Sequence, residues 1–333
     1  MADPNKIRPT LKALINHPHA RPNTTPAPAK IRNVYHRIAR EARERQYGER
    51  PWITLAAAAT FTLNSPSSLV SLHSVASSAT PLLTPLAVAE LIREVGLKCI
   101  SFNGIPRTIN CLGAFKESLD INPWAKNLAN QPTRGVSPEN LPGVKQRGVD
   151  LWTSVYTPFH QKLYEKLGTS HPDLPVHILN SHYGPLLADP SDKDVPERKK
   201  LGYVGRNLTS VVAVACLRAQ TGVGPQVLSH VYGLRKGIAQ GLHEQEFAEL
   251  GGQEGGADRR GIERLAGDEG CEWLLNSVDS IARAIGGNFA AWRQEAIADE
   301  DLDEGVVLDG EVDESRGLSE EEKNEGIARE SKL

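Results

Sequence analysis

Cysteine is scarce: four residues in 333, Cys99, Cys111, Cys216 and Cys271, with no Cys-x-x-Cys pair among them. That spacing excludes a disulfide framework, and cysteines lodged in apolar runs read as small buried hydrophobes in a reducing compartment. Charge of one sign is lacking too. The 38 Lys and Arg against 41 Asp and Glu leave a net charge of −3, so no global basic field recruits nucleic acid, and any anion must be met by locally placed Arg or Lys. No apolar run reaches the roughly eighteen residues of a membrane span, because Trp52 to Leu63 is too short and ends at Asn64-Ser65-Pro66. The first residues lack the charged-then-apolar order of a secretory signal. No GxGxxG, P-loop or metal-ligand spacing occurs, so neither a metal nor an organic cofactor is expected. These absences point to a soluble intracellular protein.

The two ends differ in kind. Residues 1–30 form a basic, Pro-rich arm expected to be disordered, with RPNTTPAPAK least able to fold by itself. A mitochondrial presequence can look like this, and a basic arm leading into a first helix is the plainer reading. That helix is IRNVYHRIAREARER, with Ile31, Val34, Tyr35, Ile38 and Ala42 at helical spacing. Residues 296–333 form an acidic, aromatic-free tail that is expected to be disordered. It closes on Ser331-Lys332-Leu333, the tripeptide that a peroxisomal import receptor reads as an address, so the expected location is the peroxisome, with mitochondrion or cytoplasm as alternatives.

Between the ends, helical periodicity dominates and the expected fold is all-α. The chain also resembles itself. In PWITLAAAATFTLNSPSSLVSLHSVA an Ala-rich helix stops at Asn64-Ser65-Pro66 and a second carries Leu69, Leu72, His73 and Ala76. In LTSVVAVACLRAQTGVGPQVLSHVYGL a helix from Thr209 stops at Thr221-Gly222 and a second carries Gln226, Val227, His230, Val231 and Leu234. The interval from Trp52 to His73 equals that from Thr209 to His230, so the segments align without a gap at an offset of 157. Further on, Glu90 precedes Gly104 by fourteen positions and Glu272 precedes Gly286 by fourteen, at an offset of 182. The 25 extra residues fit HEQEFAELGGQEGGADRRGIERLAG, residues 243–267, whose glycines and charges suggest a surface insertion. The expected domains are therefore a first repeat over 31–118, a linker over 119–150 and a second repeat over 151–295. Within FNGIPRTINCLGAF, Gly104 and Pro106 mark a junction between two buried helices.

An Ala-rich helix, a turn, a helix bearing a histidine, an acid-bearing helix such as TPLAVAELIREV and the FNGIP junction together resemble the carboxymuconolactone decarboxylase and alkyl hydroperoxidase D-like superfamily. The resemblance covers about residues 50–115 and 205–292. It implies two fused alkyl hydroperoxidase D-like helical repeats, as a monomer or homodimer. The hydroperoxidase branch uses a Cys-x-x-Cys-x-x-x-His relay with an upstream glutamate. Here the cysteine positions hold Pro66 and Leu69, and Val223 and Gln226, while the glutamate positions hold Thr54 and Val211. A dithiol peroxidase is not expected.

The decarboxylase branch needs a site for carboxylates and a group that moves a proton. His230 and His73 are the candidate catalytic residues, and Arg206, Arg218, Gln226 and Arg235 are candidates for holding a small carboxylate or lactone. Each has a plainer alternative: His73 among Leu69, Leu72 and Ala76 fits a core histidine, and Arg218 and Arg235 fit surface ion pairs. Three functions stay open, namely a cofactor-free decarboxylase-like enzyme, a non-catalytic ligand-binding or scaffold relative, and a thiol activity through Cys99 or Cys216.

Overall fold

Alanine decides the centre of the molecule. The stretch ITLAAAATFT is small-sided all round, and a helix without a polar face is stable only when covered on every side. In the computed structural model, which describes residues 6–80, 82–190, 201–248 and 252–286, every residue from Arg50 to Thr62 is buried. The helices run in the order α1 (Pro9–Ile15), α2 (Ile31–Glu44), α3 (Glu49–Thr62), α4 (Pro66–Ala79), α5 (Pro85–Lys98), α6 (Ile100–Asn103), α7 (Ile105–Leu119), α8 (Leu141–Tyr156), α9 (His160–Ser170) and α10 (Asp173–His177). A π-helical stretch over Ile178–Leu187 follows, then α11 (Arg206–Gln220), α12 (Gly224–Ala239), α13 (Leu242–Ala248), α14 (Gly252–Leu265) and α15 (Asp268–Ile285). The described residues contain no strand.

The other small-sided helix, α11, is buried from Asn207 to Leu217, and α3 and α11 pack on each other as a central pair. Around them lie α2, α4, α5 and α15 on the α3 side and α12, α13 and α15 on the α11 side. One apolar core runs without interruption from Ile31 to Ile285. The described residues belong to one compact unit, Met1–Asn288, while Phe289–Leu333, with the acidic tail, lies outside the described residues.

Two helix boundaries of the central pair stand 157 positions apart. Asn64 ends α3 and Thr221 ends α11, both with positive φ, 51° and 64°. Gly48 and Gly205 stand at the N-caps of the same two helices, and neither has a side chain to offer the first amides. Gly104, with φ of 76°, turns the chain between α6 and α7, and Pro106 sits in the first turn of α7.

Three expectations need correction. The arm is not disordered throughout, because Pro9 opens the exposed helix α1 and Thr25 binds the Leu63 carbonyl through its hydroxyl at 2.9 Å. Helix α8 begins at Leu141, inside the span expected to be linker, since Pro142 in a first turn starts a helix rather than breaking one. The insertion is not a surface loop. It folds into α13 and α14, which send Phe247, Ile262 and Leu265 into the core.

Two buried carboxylates of that insertion replace the missing caps. Asp258 Oδ1 accepts from the amides of Glu49 at 2.7 Å and Arg50 at 3.1 Å, at the start of α3. Glu246 accepts from the Asn207 amide at 2.9 Å, the Asn207 side chain at 2.7 Å and the Leu208 amide at 3.3 Å, at the start of α11. Carboxyl oxygens at a helix N-terminus satisfy open amides, and where the group is ionised its charge also opposes the helix dipole. They approach only because glycine leaves room. A Cβ at Gly205 would stand 2.4 Å from Glu246 Cγ, and one at Gly48 would stand 2.6 Å from Asp258 Oδ1. Gly205→Ala is therefore expected to displace the Glu246 carboxylate and lower stability by roughly 1–3 kcal/mol, read as a lower urea midpoint at unchanged slope.

Candidate functional site

His230 lies on the buried face of α12, where helices α8 and α11 and the π-helical stretch meet. It is 8% exposed. Its Nε2 is 3.4 Å from the Tyr156 hydroxyl of α8, and Tyr183 of the π-helical stretch donates to that hydroxyl at 3.0 Å. Phe102 of α6 stands edge-on to the imidazole, with ring centres 6.0 Å apart. His230, Tyr183 and Phe102, with Leu151, Val155, Leu187, Arg206, Thr209, Ser210 and Ala213, line a cavity of about 10 Å³, enough for one water molecule; Tyr156 stands behind this lining.

Arg206 brings positive charge to this cavity and is itself held from three helices. Its Nε donates to Ser154 Oγ at 2.7 Å, Nη1 to Ser210 Oγ at 2.7 Å, and Nη2 to the carbonyls of Ser154 at 3.1 Å and Gly233 at 2.9 Å. Burial draws the guanidinium down to about 10, against the pull of Glu246, Tyr183 and Tyr156. The same burial, reinforced by the Arg206 charge, pulls His230 down to about 4. The imidazole is thus neutral at pH 7 and accepts a proton only weakly. Burial pushes both tyrosines up, so each keeps its phenolic proton at neutral pH.

The roof has a packing of its own. Trp152, Tyr183 and Leu187 form an apolar cluster separate from the main core, joined by Leu151, Tyr156, Leu163, Tyr164 and Leu167. It is drawn tight where Gly148 and Gly184 let α8 and the π-helical stretch touch backbone to backbone, a Cβ on Gly148 falling 2.6 Å from the Gly184 nitrogen. π-Helical turns are often found at functional sites.

A second polar cluster adjoins the first through Thr209. The buried ammonium of Lys98 donates to Thr209 Oγ1 at 2.9 Å and to the Val204 carbonyl, and pairs with Asp189 at 2.9 Å. Arg134 in turn pairs with Glu94 and lies 3.9 Å from Asp189. No cluster of His, Cys, Asp or Glu among the described residues is arranged to hold a metal ion. No helix among them is long and apolar enough to cross a membrane.

Of the residues expected from the sequence to form a site, Arg206 and His230 line one cavity. Arg218 lies on the surface in a two-pronged pair with Asp279, at 2.8 and 2.7 Å, and Arg235 pairs with Asp268. Gln226 is exposed on the first turn of α12. His73 is half-buried between Phe115 and Trp124, ring centres 5.7 and 5.6 Å away, with Nε2 3.0 Å from the Pro85 carbonyl. Burial lowers its pKa and the Pro85 contact opposes that. Ser331, Lys332 and Leu333 lie outside the described residues. The residues that sequence reasoning missed are Tyr156 and Tyr183, whose aromatic character in a chain with few aromatics was the available signal.

No protein-family model and no solved structure matches the chain. Over 159 residues it is 30% identical to "Peroxisomal protein 2" of Saccharomyces cerevisiae, an alignment covering 42% of this chain and 52% of that protein. The chain spans about half the length of the curated relative it matches, and over that half it is similar to a yeast protein named for the peroxisome.

Proposed function

We propose that the protein is a peroxisomal member of the carboxymuconolactone decarboxylase-like group, with two fused repeats, and that it handles a small carboxylated or lactone metabolite at the His230 cavity. The supporting observation is that a neutral imidazole, the Tyr183 phenol and a guanidinium line one cavity, with the Tyr156 hydroxyl bonded to both the phenol and the imidazole. Loss of carbon dioxide leaves an electron pair on carbon that must be protonated. In this reading the hydrogen-bonded chain Tyr183–Tyr156–His230 supplies that proton to the cavity, and Arg206 attracts the carboxylate. A metabolite is larger than the present cavity, so binding requires the separately packed roof of α8 and the π-helical stretch to lift. The location rests on the partial similarity to the yeast protein and on the tripeptide Ser331-Lys332-Leu333.

One observation favours a non-catalytic relative: four N–H groups of Arg206 are already spent on protein acceptors, which suits a structural clamp. A panel of small carboxylic acids and lactones separates the two readings. An enzyme is expected to be stabilised by at least one compound, with the melting temperature raised by several degrees, and to release carbon dioxide from it. His230→Gln and Tyr156→Phe should abolish release at least a hundredfold while leaving the fold intact by circular dichroism. A panel with no stabilising compound leaves the clamp reading. For location, a fluorescent fusion at the N-terminus is expected to be punctate and to become diffuse when residues 331–333 are removed; an unchanged pattern removes the import address.

A further inference from the structure

Cys99 and Cys216 are 117 positions apart in the chain, yet the Cys216 thiol donates to Cys99 Sγ at 3.5 Å. Both are fully buried. Cys99 follows the last turn of α5, next to the four-residue helix α6, and Cys216 sits two-thirds along α11. Of the other two thiols, Cys111 is near enough to Cys99 to add to the rise in its pKa, and no sulfur–sulfur contact joins them. Cys271 turns to the carbonyls of Leu265 and Ala266, and Cys111 lies 4.0 Å from Asn64 Oδ1.

We infer that Cys99 and Cys216 are a peroxide-responsive pair that closes into a disulfide, welding the α5–α6 junction to the central helix α11. A bond of about 2.05 Å requires the sulfurs to approach by roughly 1.5 Å. That approach falls on the boundary between α5 and α6, where Cys99 stands. The oxidant is a hydroperoxide, small enough to reach the interior during brief openings. One thiol takes an oxygen from ROOH to give a sulfenic acid and releases ROH; the second thiol then displaces that oxygen as water, forming the S–S bond. Sulfur is oxidised by two electrons and the peroxide O–O bond is reduced.

Two further features shape the behaviour. Burial and the neighbouring sulfur push the Cys99 thiol well up, so its thiolate is rare and the reaction is slow, a lasting change of state rather than a turnover. The weld also bears on the His230 cavity, independently of what that cavity binds. Phe102, which faces His230, is three residues beyond Cys99, and its carbonyl and the Asn103 side chain accept from Gln220 of α11. Oxidation therefore fixes one wall of the cavity to α11.

The test uses the full-length reduced protein, treated with hydrogen peroxide for minutes to hours, unfolded in guanidinium with an alkylating agent, and digested for mass spectrometry. The expected product is a Cys99–Cys216 linked peptide with Cys111 and Cys271 alkylated. The oxidised form should melt several degrees higher, reverse on reduction, and show slower amide exchange over residues 100–104. Cys99→Ala and Cys216→Ala should each remove the peroxide-dependent melting shift. Alkylation of all four cysteines after oxidation, or links spread equally over Cys111 and Cys271, overturns the inference.

Discussion

Replacing Asp258 with alanine is expected to lower the free energy of unfolding by about 4 kcal/mol, enough to bring the melting temperature down by on the order of 10 °C. The Arg50 guanidinium is fully buried, and its Nε stands 3.6 Å from Asp258 Oδ2, itself 1% exposed. Removing the carboxylate leaves the buried guanidinium, which also donates to the Leu201 carbonyl at 3.2 Å, without that opposite charge, and the cost exceeds what the pair contributed when formed. The same substitution strips the first turn of α3 of the acceptor for the amides of Glu49 and Arg50. Asp258→Asn, which keeps an oxygen for those amides and loses the charge, should cost less. Combining Asp258→Ala with Arg50→Met should recover part of the loss, because both charges then leave together. Guanidinium titrations followed by circular dichroism read all three. An Asp258→Ala protein as stable as the parent would mean that the insertion helices are not what holds α3 in place.

The importance of Asp258 was invisible in the sequence, and the reason is instructive. Helices were legible because their signals are local: apolar spacing over Ile31–Ala42, the Asn64-Ser65-Pro66 stop, and Pro106 behind Gly104. The buried caps are not local. Asp258 lies 209 positions from Glu49, and Glu246 lies 39 from Asn207, so a charged, glycine-rich window looks like surface unless its partners are known. A clue was present in the two central helices. Each begins after a glycine, with no Ser, Thr, Asp or Asn at the cap, which leaves open amides that some distant acceptor must satisfy. The site was half legible for the same reason. His230 stood out through its place in the repeated pattern and Arg206 as a cation just before the Thr209 helix, whereas Tyr156 and Tyr183 join them only through the packing of α8 on the π-helical stretch.

The pH dependence of stability offers a sharper test of both buried clusters, because two groups in them titrate in opposition. Burial raises Glu246 from 4.5 to about 7, the amide donors of α11 acting against it. Its neutral form is favoured in the folded state, so its contribution to stability is complete below pH 4.5 and lost as the pH rises towards 7. Burial and Arg206 lower His230 from 6.5 to about 4, and its contribution is complete above pH 6.5 and lost as the pH falls towards 4. Each excursion corresponds to roughly 3 kcal/mol. Between about pH 4.5 and 6.5 the unfolded chain carries its proton on the histidine and the folded chain carries it on the glutamate, so proton uptake balances and the two slopes cancel. Glu246→Gln should expose a stability that climbs with pH across that window, and His230→Gln one that declines. Midpoints of urea unfolding at half-unit pH intervals read the slopes directly. If both variants kept the parent's profile, neither group would be titrating as a buried one, and the two buried clusters would not be coupled to pH as described.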